Sequence, residues 1–145
     1  MKVVNRSMKK VDSIGVVTGN PAYTDDLVLN NNVLTIKLLR SPHAFAKIKA
    51  IDTSIALKVP GVEAIFTHND TPKTRFTLAG QSFPEPSPYD RRILDEYVRY
   101  VGDPVAIIAA ENERTANKAM NLIKVQYEVL EPILDFEKSI DSHII

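Results

Sequence analysis

Hydrophobic and polar positions change period several times along this chain, and each change marks an element. The run VLTIKLLR (33–40) is short, apolar and rich in branched residues, which predicts a well-buried strand. Pro42 then forces a corner, because it fixes φ and carries no N–H. AKIKAID (46–52) alternates, with Ala46, Ile48 and Ala50 on one face and Lys47 and Lys49 on the other, as in a half-buried strand. Thr53 or Ser54 is placed to cap a short helix in SIALKV, which Pro60 and Gly61 end. VEAIFT (62–67) predicts another strand, and Asp70 is placed to cap the turn after it.

From Thr71 to Asp95 the apolar period is lost. Pro72, Pro84, Pro86, Pro88 and Gly80 punctuate a long loop, and loops beyond about 12–15 residues are usually functional or mobile. Regularity returns in EYVRYV (96–101) and VAIIAAE (105–111). The GDP turn between them predicts a hairpin, and the second run predicts a central strand. A helix follows, with Ala116, Ala119, Met120 and Ile123 at i, i+3, i+4 and i+7 and Asn112 placed to cap it. IKVQYEVL (123–130) reads as a final strand that Pro132 ends. At the other end, residues 1–20 mix polar and branched letters without helical period and read as an extended arm. LNNN (29–32) signals a turn. No internal repeat or low-complexity tract interrupts this pattern. The sum is an α+β domain of five or six strands, with two helices covering one face.

Composition narrows the partners more than the fold. At 145 residues the chain suits one domain, which buries roughly 68–70% of its unfolded surface. An apolar fraction of 44% and a charged fraction of 25% are those of a soluble globular protein. Lys plus Arg equals Asp plus Glu at 18 each, so no global field draws nucleic acid or anionic lipid. The absence of cysteine excludes disulfides, thiolate zinc sites and iron–sulfur ligation by this chain. The amino-terminal stretch lacks the apolar core of a signal peptide, and no run approaches the 18 or so apolar residues of a membrane span. The expectation is a cytoplasmic protein with no membrane partner.

KLLRSPHAFAKIKAIDTS (37–54) gathers an Arg, a Ser, a His and an Asp. A general base at His43 needs an orienting partner and a nucleophile within reach, and Ser41 has no Gly-flanked elbow around it. The histidines stand at 43, 68 and 143, a spacing that matches no metal motif. Asp25 and Asp26 are adjacent on an extended chain and point apart, which favours local turn caps. Arg91 and Arg92 could bind an anion, but two Arg make no patch on a neutral protein, and a solvated loop or a partner contact fits better. No glycine-rich phosphate cradle is present. No catalytic, cofactor-binding or metal-ligating residue is assigned.

Several linked stretches carry more information than any single residue. VVTGNPAYTDDL, LLRSPHAFAKIKAIDTSIALKVPGVEAIFTHNDTP and VRYVGDPVAIIAAENERTANKAMNLIKVQYEVLEPILDFEKSI follow one another at fitting distances. Over Asp12 to Ile140 this series resembles the amino-terminal α/β-hammerhead domain of the molybdenum hydroxylases, the family of xanthine dehydrogenase and aldehyde oxidase. The loop RFTLAGQSFPEPSPYDRRIL looks most like the molybdenum-binding subunit of bacterial purine-type enzymes.

The resemblance implies a mixed, curved sheet of five to six strands with two covering helices at 19–145, preceded by an extended arm at 1–18. It implies a parent that hydroxylates a purine, another heteroaromatic carbon or an aldehyde with oxygen from water. Electrons would pass from molybdenum on molybdopterin through 2Fe-2S clusters to FAD. The family's pterin ligands and catalytic glutamate belong to domains expected beyond Ile145, so this chain reads as part of a longer subunit or the product of a split gene. The expected role is a structural and assembly domain, inactive alone and with no cofactor of its own. Its expected partners are the pterin-binding domains and the iron–sulfur and flavin subunits, and it is expected to self-associate when isolated. The alternative is a free-standing module that binds a small molecule or peptide through loop 71–95.

Overall fold

One strand, Pro104–Ala110, has apolar side chains on both faces, and the larger unit is arranged around it. In the computed structural model, which describes residues 4–23, 26, 33–78 and 87–139, the chain divides into two units, Met1–Val33 and Leu34–Ile145. In the first, Ser13–Val17 form one helical turn, α1. The extended arm expected at 1–18 is therefore helical over these residues. The Thr18 hydroxyl donates to the Ile14 carbonyl at 2.7 Å, and Gly19 at φ +73 ends the turn.

The second unit holds strands β1 (Thr35–Arg40), β2 (Ala46–Asp52), β3 (Val62–Phe66), β4 (Tyr97–Val98), β5 (Pro104–Ala110) and β6 (Lys124–Val129), with helix α2 (Glu113–Met120). The α+β class and the expected strands stand. They are shared between two three-stranded sheets, β1-β5-β3 and β4-β2-β6, and every described pairing is antiparallel. A single mixed sheet does not form, because the corner at Ser41–His43 carries the chain out of the first sheet and into the second. LNNN (29–32) lies outside the described residues.

That corner also accounts for the absent hairpin. β4 and β5 belong to different sheets, so the turn between them joins no pair. Its groups bond to the corner instead. Ser41 N–H donates to the Asp103 carbonyl at 2.9 Å, Gly102 N–H donates to the Ser41 carbonyl at 2.8 Å, and Arg40 Nη1 reaches the Gly102 carbonyl at 2.8 Å. The Asp103 carboxylate accepts the Arg99 N–H at 2.8 Å, which leaves only Tyr97–Val98 of EYVRYV in a strand.

Other differences have equally local causes. β5 takes the centre of its sheet, so β1 is an edge strand with Ile36 exposed rather than a well-buried one. In β2 the register shifts between Ile48 and Ala50. The extra residue turns Ala50 outward and brings Ile51 onto the buried face, where strict alternation would place Ala50. SIALKV forms a single 3-10 turn, Ala56–Lys58, without a side-chain cap. Leu57 N–H is taken by the Thr53 carbonyl, and Asp52 accepts the Ser54 N–H. Asn112 caps α2 as expected, accepting the Thr115 N–H at 2.9 Å.

Two small cores result. Ala116 and Ala119 of α2 pack with Ala56, Ile108 and Ala110, all fully buried. Ala46, Ile48, Val98 and Val105 form the second core, and Leu39 touches both. Gly61, at φ +87, closes the β3 end: its carbonyl accepts the Glu111 N–H at 2.8 Å. A Cβ there would meet the Glu111 side chain at 2.4 Å. The flexible carboxylate can swing aside, but the backbone strain stays. Gly61→Ala is expected to lower stability by about 1–2 kcal/mol in urea unfolding, and an unchanged midpoint would contradict the left-handed conformation.

Candidate docking face and arginine cleft

The polar residues of 37–54 are spent on the corner. Ser41 is buried; its hydroxyl donates to the His43 carbonyl and accepts the His43 N–H, both at 3.0 Å. The His43 ring lies edge-on to Tyr127, with centroids 4.9 Å apart. Burial pushes the Tyr127 hydroxyl pKa up, and a hydrogen bond with Ser41 partly offsets this. The Ser41 hydroxyl is used by backbone and the His43 ring by packing, so this corner builds no nucleophile–base pair.

The remaining candidates scatter. Asp70 accepts the N–H and hydroxyl of Thr67, both at 2.8 Å, and these bonds hold its carboxyl below the ordinary range. His68, beside it, has a buried Nδ1 without a hydrogen-bond partner. Asp26 accepts the Tyr23 N–H at 2.9 Å, the local cap expected of it. Asp25 and His143 lie outside the described residues. Among the described residues no group of three or more His, Cys, Asp or Glu could hold a metal ion.

Sheet geometry brings together a set that the sequence reading did not name. Residues paired across strands point to the same side. The register puts Ile36, Ala109 and Ala64 in one row, and Leu38, Ile107 and Phe66 in the next. The opposite face carries Ile108, Ala110, Val62 and Ile65, which pack with α2. The Lys37–Glu113 ion pair at 2.5 Å lies on that covered side. All six residues of the first set are apolar. Ala109 is 5% exposed, but Ile36 is 54% and Phe66 43% exposed at the two edges. Alternation in β1, TIKLLR, hints at this face through Ile36 and Leu38; the β3 residues join it only through pairing.

A second feature joins the ends of the long loop. Phe76 and Arg91 exchange backbone hydrogen bonds of 2.8 and 3.1 Å. Beside this clasp lies a cleft of about 230 Å³, whose lining includes Arg91, Arg92, Asp95 and Arg99. Asp95 is nearly buried, with Arg99 Nη1 at 3.0 Å and Arg92 Nη1 at 3.6 Å. Burial alone would raise its carboxyl pKa. The hydrogen bond and charge of Arg99, then the charge of Arg92, hold it below the ordinary range.

These two three-stranded antiparallel sheets, with a helix packed on the one centred on β5, define an α/β-hammerhead domain of the molybdenum hydroxylases. The family model described as aldehyde oxidase and xanthine dehydrogenase, a/b hammerhead domain, matches residues 18–131, and the chain belongs to that family. A probable hypoxanthine oxidase of Escherichia coli O157:H7 is 42% identical over 139 residues, which are 96% of this chain and 14% of that protein. The xanthine dehydrogenase molybdenum-binding subunit of the same organism is 39% identical over 125 residues, 83% of this chain and 16% of that one. The aldehyde oxidoreductase of Desulfovibrio desulfuricans superposes with a TM-score of 0.77 at 30% identity, over 99% of this chain and 16% of its own. The chain thus spans about one-seventh of the length of these relatives. The described residues offer no donor set for the molybdenum that the subunit's name carries.

The depressed Asp95 carboxyl makes a pH prediction. A group whose pKa is lower folded than unfolded adds stability above its unfolded value, about 3.9, and loses it as pH falls through the folded value. Asp95→Asn is expected to cost about 2 kcal/mol at pH 7, with a smaller difference from the unmodified chain near pH 3. Urea unfolding at both pH values checks this; an equal gap at both would contradict the ion-pair account.

Proposed function

We propose that this chain is the assembly domain of a xanthine dehydrogenase-like molybdenum hydroxylase and contributes no cofactor ligand of its own. One observation carries the reading: the sheet face of Ile36, Leu38, Ala64, Phe66, Ile107 and Ala109 is wholly apolar, with both edge residues exposed. An antiparallel sheet with one wet face normally turns polar side chains to water. This one offers none, which suits a surface that another domain covers. The relatives supply the candidate cover, since most of their length lies outside the matched region.

The parent reaction would be water-derived hydroxylation of a purine or aldehyde carbon, with electrons leaving molybdopterin-bound molybdenum for 2Fe-2S clusters and FAD. The pterin-binding domains of the same subunit are the first partner, and the iron–sulfur and flavin parts come next, in a cytoplasmic assembly. No described helix is long and apolar enough to cross a membrane. Residues 1–18 would act as an arm ahead of the domain at 19–145; Val11, Ile14 and Val17 are largely exposed there.

Two measurements test this reading. The purified 145-residue chain should hold no stoichiometric molybdenum or pterin and should not turn over purines. Stoichiometric molybdenum or pterin, or purine turnover, would overturn the proposal. Sedimentation should show self-association at high concentration, and the Ile36→Asp, Phe66→Asp pair should abolish it, since each carboxylate loses its hydration on burial. A monomer at every concentration, or association that survives both changes, counts against the docking face.

A further inference from the structure

The cleft beside the Phe76–Arg91 clasp has properties that an assembly face does not need. Three arginines line it beside Asp95 and Asp103, and only Arg99 is hydrogen-bonded to a carboxylate there. Arg99 holds Asp95 at 3.0 Å and the Tyr97 carbonyl at 3.3 Å. Arg92 stands 3.6 Å from Asp95, beyond hydrogen-bond length, and its Nε has no partner. Arg91 Nε is 3.9 Å from the exposed Asp90, a contact worth little in water. Its guanidinium lies 5.9 Å from the Tyr100 ring centre. Among the described residues, then, neither Arg91 nor Arg92 has a carboxylate within hydrogen-bond distance. Each guanidinium carries five N–H donors in a planar fork that matches a carboxylate.

The rest of the lining selects what else a ligand must bring. Phe76, Leu78, Ile93 and Tyr100 place apolar surface in the same cleft. Its volume of about 230 Å³ is below the roughly 300–1,000 Å³ of ordinary small-molecule pockets, which favours a small ligand. A single ring or branched chain fits.

We propose that this cleft is a carboxylate-binding site whose ligand joins a carboxylate to a small aromatic or branched apolar group. Arg91 and Arg92 pair with the anion, and Phe76, Leu78 and Ile93 receive the apolar body. Such chemistry has two sources: a free small acid, or a Glu or Asp side chain flanked by an apolar residue elsewhere in a longer polypeptide. The proposal goes beyond the assembly role and stands without it.

The probe is 3-phenylpropionate, with the uncharged 3-phenylpropanamide as control, titrated into the 145-residue chain and followed by amide chemical shifts. A ligand of this size is expected to saturate with a Kd on the order of 1 mM, with shifts centred on residues 91–93 and 99–100. The amide should bind about tenfold more weakly or worse, because it forfeits the charge-assisted pairs. Arg92→Gln should weaken the acid by a similar factor, and Arg91→Gln, at a more weakly held ion pair, supplies a second variant should Arg92→Gln disturb Asp95.

Repeating the titration with a full-length protein that carries the family's other domains separates the sources. Retained binding marks a small-molecule site, and binding lost only in the longer protein marks an internal acidic side chain already in place. No saturable shift in the 145-residue chain, equal binding of acid and amide, or indifference to both Arg substitutions would overturn the proposal.

Discussion

The apolar character of β5 on both faces is the constraint from which the larger unit follows. Its residues are small or branched and entirely apolar, so the strand is stable only between two others and beneath a helix. α2 meets that need through alanine. Ala116 and Ala119 have no side chain beyond Cβ, which lets the helix approach Ile108 and Ala110 closely. Leu39 then bridges to the second core, where Val105, at the start of β5, packs with Ala46 and Val98. The same strand that closes the first sheet therefore ties it to the second.

Because β5 lies in the middle, the two faces of its sheet have different fates. The α2 side is closed by helix packing and by the Lys37–Glu113 pair at its edge. The other side keeps an apolar set with no described helix over it, an arrangement costly to leave in water. A chain that spans about one-seventh of its relatives' length and carries such a face is physically consistent with a part, and the family match gives that part a place.

The sequence was legible where one local signal decided the outcome. Asn112 announced the start of α2, the apolar run 105–111 announced a central strand, and Asp70 announced its turn. It misled where a longer-range bond competed. The GDP turn has hairpin chemistry, yet Ser41 takes its backbone groups, and no local pattern reports that residue 41 will lie beside 103. The alternation of β2 was broken by one extra residue, which periodicity alone places on the wrong face. The family was legible for a different reason, since a linked series of motifs carries tertiary information that no single window holds.

The arginine cleft marks the limit of reading residues singly. Arg91 and Arg92 are two charges on a chain whose global balance is 18 against 18. Net charge averages over the whole surface, whereas binding depends on which acceptors stand within about 3 Å. Asp95 is committed to Arg99, Asp103 to a backbone N–H, and Asp90 faces water. The acids nearest the cleft thus spend their hydrogen-bonding capacity on other donors or on water, which leaves Arg91 and Arg92 without a carboxylate within hydrogen-bond distance among the described residues. An electroneutral chain can hold a local surplus of donors, and here the fold creates it by bringing residues 76, 91 and 100 together across a loop.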